Sequence, residues 1–154
     1  MLQLLCEAHL LNCPLSTEKA DRLVKQLELT NGCYVVDIGC GEGEFLIRVA
    51  DQYDVAGVGL HNNSDLIELA NRKVKERISS NSVSVSLVCQ DARSFNWNRH
   101  TDLMICLGSE FIFGGYRQAL QCLSHCLVDE GMLLVETIFW QQNPYSEYLS
   151  LMGG

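Results

Sequence analysis

Residues 35–43 read Val35-Val36-Asp37-Ile38-Gly39-Cys40-Gly41-Glu42-Gly43, and this stretch decides the fold. A β-branched apolar run stops at glycines on alternate positions, and a helical pattern follows at once. Glycines there let the backbone turn sharply and come close to a ligand. A strand, a glycine turn and a helix in this order open a βαβ unit. Upstream, the turn pair Asn31-Gly32 starts the strand, placed at 33–38. Downstream, a helix is predicted at 44–52, with Phe45, Leu46, Val49 and Ala50 on one stripe.

The same alternation runs through the rest of the chain. Further strands are predicted at 55–60, 83–89, 102–107 and, after Gly131, 132–138. One intervening helix is capped by Asn63 or Ser64, with Leu66, Ile67, Leu69, Ala70 and Val74 facing inward. Another covers 116–127, with Leu120, Leu123 and Leu127 at core spacing. A helix at 17–27, capped by Ser16 or Thr17, precedes the first strand, and a short one at 144–152 follows the last. Strands alternating with helices predict an α/β fold. The expected architecture is a doubly wound, Rossmann-like sheet of about five parallel strands in the order 3-2-1-4-5, with helices on both faces. No repeat, linker or low-complexity tract divides residues 1–154, so one domain is expected.

Composition narrows the function classes. The chain is 47% hydrophobic and 19% charged, which suits a globular unit with a sizeable core. A net charge of −8 repels phosphate backbones, so nucleic acid is not an expected partner. Arg72, Lys73, Lys75 and Arg77, interrupted by Glu76, read as a solvated helix face. The 8 cysteines form no Cys-x-x-Cys pair, so zinc-ribbon and thioredoxin spacings are absent. Cys122, His125 and Cys126 share a helical face but lack a fourth ligand, and no metal is expected. Several cysteines fall inside apolar runs, where a free thiol packs as a small hydrophobe. A reducing cytoplasm is the expected compartment. The N-terminus has no basic n-region, and no run approaches the roughly 18 apolar residues of a membrane span, so no membrane association is expected.

The glycine spacing bears on the ligand. A dinucleotide fingerprint is Gly-x-Gly-x-x-Gly. Here the third glycine comes one residue early, and Glu44 holds the place of the last. A helix N-terminus flanked by Glu42 and Glu44 is a poor home for a pyrophosphate. A ligand without phosphate that carries cationic groups, such as S-adenosylmethionine, suits it better.

With these pieces in view, residues 15–140 resemble the class I S-adenosylmethionine-dependent methyltransferases. The likeness is carried by 36–43, by Val58-Gly59-Leu60-His61, by Cys89-Gln90-Asp91-Ala92, by Leu107-Gly108-Ser109 and by 134–140. Within that class the chain is similar to the ubiquinone/menaquinone-methyltransferase-like small-molecule enzymes. The resemblance implies S-adenosyl-L-methionine as cofactor. Asp37 would contact its amino group, and Gly39, Cys40, Gly41 and Gly43 would line its methionine portion. The residue ending the second strand is normally an acid that accepts from both ribose hydroxyls. Here it is His61, whose neutral ring offers a single acceptor, with Asn62 assisting. Asp91 would accept the adenine amino proton, and Ala92 would offer its N–H to the ring. The bare alternative for Asp91 is a helix cap or turn. Leu107 and Gly108 would lie near the reacting methyl.

Glu110, Phe111 and Trp140 are expected to frame the methyl acceptor, and His9 and Asn12 to fold over the site from the N-terminal segment. Related sequences tend to carry Glu at the position of Thr137, so the acid here is shifted to Glu136 or absent. No catalytic base is assigned, although Glu110, His9 and His61 are candidates. The family's sheet usually carries two strands beyond the fifth. The domain therefore reads as C-terminally incomplete relative to the family, with a fifth-strand edge open to a homodimer partner. The expected activity is methyl transfer to a small molecule. The alternatives are a cofactor-binding module without turnover and, less favoured by the glycine spacing, an NAD(P)-dependent oxidoreductase.

Overall fold

A computed structural model describes residues 13, 15–78, 84–95, 101–138, 141, 142 and 145. Its strands are β1 (Tyr34–Ile38), β2 (Ala56–His61), β3 (Ser84–Cys89), β4 (Thr101–Leu107) and β5 (Leu127–Glu136). Its helices are α1 (Thr17–Gln26), α2 (Glu44–Gln52), α3 (Ser64–Arg77) and α4 (Tyr116–Ser124), with short 3-10 turns at Ala92–Ser94 and Glu110–Phe113. All strand pairs are parallel, and the sheet order is β3-β2-β1-β4-β5, as the alternation predicts.

Both faces of the sheet are covered, which is what parallel strands require. On one face Val35, Leu103 and Ile105 pack against Ala20 and Val24 of α1 and Phe45, Leu46, Val49 and Ala50 of α2. On the other, Val36, Ile38, Val58, Leu60 and Met104 pack against Ala119 and Leu123 of α4. Caps hold the helix starts. Ser16 Oγ accepts the N–H of Lys19, and Asn63 Oδ1 accepts those of Asp65 and Leu66.

Two boundaries and the burial of one residue depart from the sequence reading. Leu127 belongs to β5, where it pairs with Thr101, and not to the preceding helix. That helix stops at Ser124, and the carbonyl of Cys126 already accepts the N–H of Thr101 at 2.9 Å. The register then jumps from Leu127 to Met132, so residues 128–131 bulge out, with Glu130 at φ 64°. Gly131 marked this bulge rather than the start of the strand. Leu69 is 38% exposed, because α3 directs Ile67 and Ala70 inward instead. The helix expected at 144–152 lies outside the described residues.

Candidate functional site

The chain order places β2 and β3 on one side of β1, and β4 and β5 on the other. The crevice between the carboxyl ends of β1 and β4 is therefore the topological switch point, where ligands enter such sheets. A cavity of about 340 Å³ opens there, at the lower end of the range for small-molecule sites.

The glycine turn forms its floor. Gly39, Gly41 and Gly43 all have positive φ, at 71°, 56° and 72°. At Gly39 the reason is contact as well as conformation. A Cβ there would lie 2.5 Å from the Cβ of Ser109, which follows β4. Ser109 is buried, and its Oγ–H donates to the carbonyl of Ile38 at 2.6 Å, so the ends of β1 and β4 are tied together. The backbone N–H groups of Gly39 and Cys40 both donate to the carbonyl of Leu60, at 2.9 and 3.0 Å. They are directed into the sheet and do not form an anion nest.

Acids surround this floor. Asp37 is 3% exposed, and burial lifts its carboxyl pKa to about 7, opposed in part by the N–H of Leu46. Glu44, also buried, accepts from Arg48 and Arg77, and Lys73 bridges to Glu42 at 2.7 Å. Arg48 continues the network to Asp21 of α1. These pairs fix α1, α2, α3 and the glycine turn relative to one another. Cys13 reaches the cavity from the N-terminal side, and burial, with Glu136 beside it, pushes its thiol up to about 12. Among the described residues no hydrogen bond reaches Glu136 Oε2, which is buried.

Of the residues singled out by sequence, Asp37, Gly39, Cys40, Gly41, His61, Asn62, Asp91, Ala92, Leu107, Gly108 and Phe111 line one cavity. Gly43 does not reach it. A Cβ at Gly43 would press on Ala70 at 3.3 Å and Leu87 at 3.5 Å, so this glycine lets α2 start close to α3 and β3. Glu110 also stays outside the lining and accepts the Thr137 hydroxyl at 2.9 Å. Phe111 is 72% exposed at the rim. Trp140, His9 and Asn12 lie outside the described residues.

Asp91 closes on its own neighbour. Its carboxylate accepts the backbone N–H of Arg93 at 2.9 Å and the guanidinium at 2.5–3.1 Å. Those bonds hold its pKa down to about 2. It caps the 3-10 turn, which is the bare alternative weighed from the sequence, while still facing the cavity. The lining also holds residues the reading did not assign to the site, among them Cys13, Gln90, Arg93 and Ile112. Gln90 and Arg93 flank Asp91 and were within reach of the same strand-end argument. No local signal marked Cys13, which arrives from another part of the chain.

Residues 15–150 match the mycolic acid cyclopropane synthetase family. The chain belongs to that family. It is 28% identical over 148 residues to the Escherichia coli K12 protein YjhP, covering 95% of this chain and 58% of YjhP. Among solved structures it resembles an S-adenosylmethionine-dependent methyltransferase from Geobacter sulfurreducens, in complex with S-adenosyl-L-homocysteine. That likeness has a TM-score of 0.84 and 26% identity, over 94% of this chain and 57% of the other. A Thiobacillus denitrificans methyltransferase with the same ligand gives 0.82 and 27%, over 94% and 58%. The fold of this family member is thus the Rossmann-like methyltransferase fold. The comparisons support the methyltransferase class at large and do not single out the ubiquinone/menaquinone group. The chain spans a little over half the length of these relatives. No helix among the described residues is long and apolar enough to cross a membrane.

Proposed function

We propose that this chain binds S-adenosylmethionine in the switch-point cavity and serves transfer of its methyl group to a small-molecule acceptor. The observation that carries the reading is the chemistry of the cavity floor. The turn's first amides are tied to Leu60, and Asp37 is buried beside them. That donor set disfavours a pyrophosphate and favours a ligand with cationic groups. A cation beside Asp37 relieves the cost of burying its charge.

S-adenosylmethionine brings an activated methyl on its sulfonium. The protein's contribution is orientation and exclusion of water. Asp37 holds the amino group, Gly39 and Gly41 allow close approach of the backbone, and His61, Asp91 and Ala92 face the nucleoside. Leu107 and Gly108 flank the reacting centre, and Phe111 offers an apolar rim to the acceptor. A similar protein from Pseudomonas putida is described as a probable fatty acid methyltransferase, 27% identical over 105 residues. An acyl chain is therefore the first acceptor class to try.

A binding module without turnover is the second reading, favoured by His61 standing in place of a ribose-binding acid. Calorimetric titration with S-adenosylhomocysteine and with NAD tests the first step. Micromolar binding of the former supports the proposal, and tight NAD binding without it sinks both readings. A radiolabelled methyl-transfer screen that includes fatty acids then separates enzyme from module.

A further inference from the structure

His61 closes β2 and lines the cavity, and its surroundings fix the hydrogen-bonding sense of its ring. Nδ1 accepts the backbone N–H of Asn63 at 3.0 Å. Asn63 is the N-cap of α3, and its own Oδ1 is engaged by Asp65 and Leu66. The backbone is held as well, since the carbonyl of His61 accepts the N–H of Gln90 at 2.9 Å. A neutral imidazole whose Nδ1 accepts must carry its proton on Nε2. Burial favours that neutral form and lowers the ring's pKa. Among the charged groups that line the cavity with the ring, Asp91 is paired with Arg93, Glu42 with Lys73, and Glu44 with Arg48 and Arg77. Asp37, on the adjacent strand, is buried in register with Gly59.

The ring therefore has a donor to offer the cavity and no acceptor. We infer that His61 reads the ribose with reversed polarity: Nε2–H donates to a ribose hydroxyl oxygen, where an acid at this strand end would accept from the hydroxyls. A hydroxyl oxygen has lone pairs for this bond, so the contact is chemically complete. Nδ1 meanwhile couples the ring to the cap of α3. The inference rests on the S-adenosylmethionine reading, and it makes His61 a determinant of nucleoside specificity.

Two measurements test it. Nitrogen-15 NMR of the unliganded protein at pH 7.5 should show His61 neutral and protonated at Nε2. An Nδ1–H tautomer or an imidazolium would overturn the inference without touching the functional reading. In His61→Asn, the amide oxygen can still accept the Asn63 N–H as an Asx turn, but no donor reaches the place of Nε2. S-adenosylhomocysteine should then bind about 10-fold more weakly at an unchanged thermal midpoint, with part of the affinity restored in His61→Gln, whose amide N–H reaches further. Unchanged affinity in His61→Asn overturns the inference. If the parent protein binds no S-adenosylhomocysteine at all, the functional reading fails and the ribose contact falls with it.

Discussion

Asp37 and Asp91 are the same residue type, each near the carboxyl end of a strand and each facing the same cavity, yet their proton affinities move in opposite directions. Asp37 lies on the central strand, is 3% exposed and has its pKa lifted to about 7 by burial. Asp91 follows the edge strand β3, and the Arg93 guanidinium and N–H hold it at about 2. Among the described residues no cation pairs with Asp37, whereas Asp91 is closed by a neighbour two residues away. The difference indicates which can gain from a cationic ligand. A charge placed beside Asp37 restores what burial removed, whereas Asp91 already has its partner.

The comparison can be broken most sharply at Asp37. Asp37→Asn should weaken S-adenosylhomocysteine binding about 100-fold, the scale of a lost charge-assisted hydrogen bond, as read by calorimetry. Asp91→Asn should cost less than about 5-fold, since exposed ion pairs contribute little. If the two variants lose affinity equally, burial is not what distinguishes them.

Proton linkage sharpens the same contrast. A cationic ligand group beside Asp37 lowers its raised pKa, so binding at pH 7 should release on the order of half a proton. Titrations in buffers of different ionisation enthalpy measure that release, and Asp37→Asn should abolish it. The unliganded protein should behave in the opposite sense. An acid with a raised folded-state pKa stabilises the fold at low pH, and this contribution is lost as pH climbs from about 4 through about 7. The thermal midpoint of the parent should therefore fall between pH 5 and pH 7 relative to that of Asp37→Asn. Equal slopes would mean that Asp37 is solvated.

The smallest effect belongs to Arg93. Arg93→Ala should let Asp91 titrate near the ordinary carboxylate range by NMR while leaving the thermal midpoint in place, because both groups are exposed. A titration that stays near 2 would assign the shift to the 3-10 turn rather than to the guanidinium.

Much of this site was legible before the structure. The strand ends that meet at the cavity follow from alternation of apolar runs and helical patterns, and the acid-flanked glycine turn argued against a pyrophosphate. Two of the residues singled out lie outside the cavity lining, for physical reasons. Gly43 looked like part of the ligand floor because its spacing continues that of Gly39 and Gly41. Its missing side chain instead admits Ala70 and Leu87 from elements far along the chain. Glu110 looked like an acceptor-site acid, but Thr137 at the end of β5 draws it away from the lining.

The sequence by itself determined the order of elements and the tight turn after β1, and it narrowed two helix caps to Ser16 or Thr17 and to Asn63 or Ser64. These depend on local periodicity, on side chains reaching backbone groups a few residues away, and on φ values open to glycine. Tertiary structure decided that Asp37 holds its proton more tightly than an ordinary carboxyl. Asp37 is desolvated because β2 and β4 flank it and α2 covers it, and solvent exclusion is the sum of contacts from distant parts of the chain. The arrival of Cys13 at the cavity and the contact of Ser109 with Gly39 were decided in the same way, by strand order rather than by spacing.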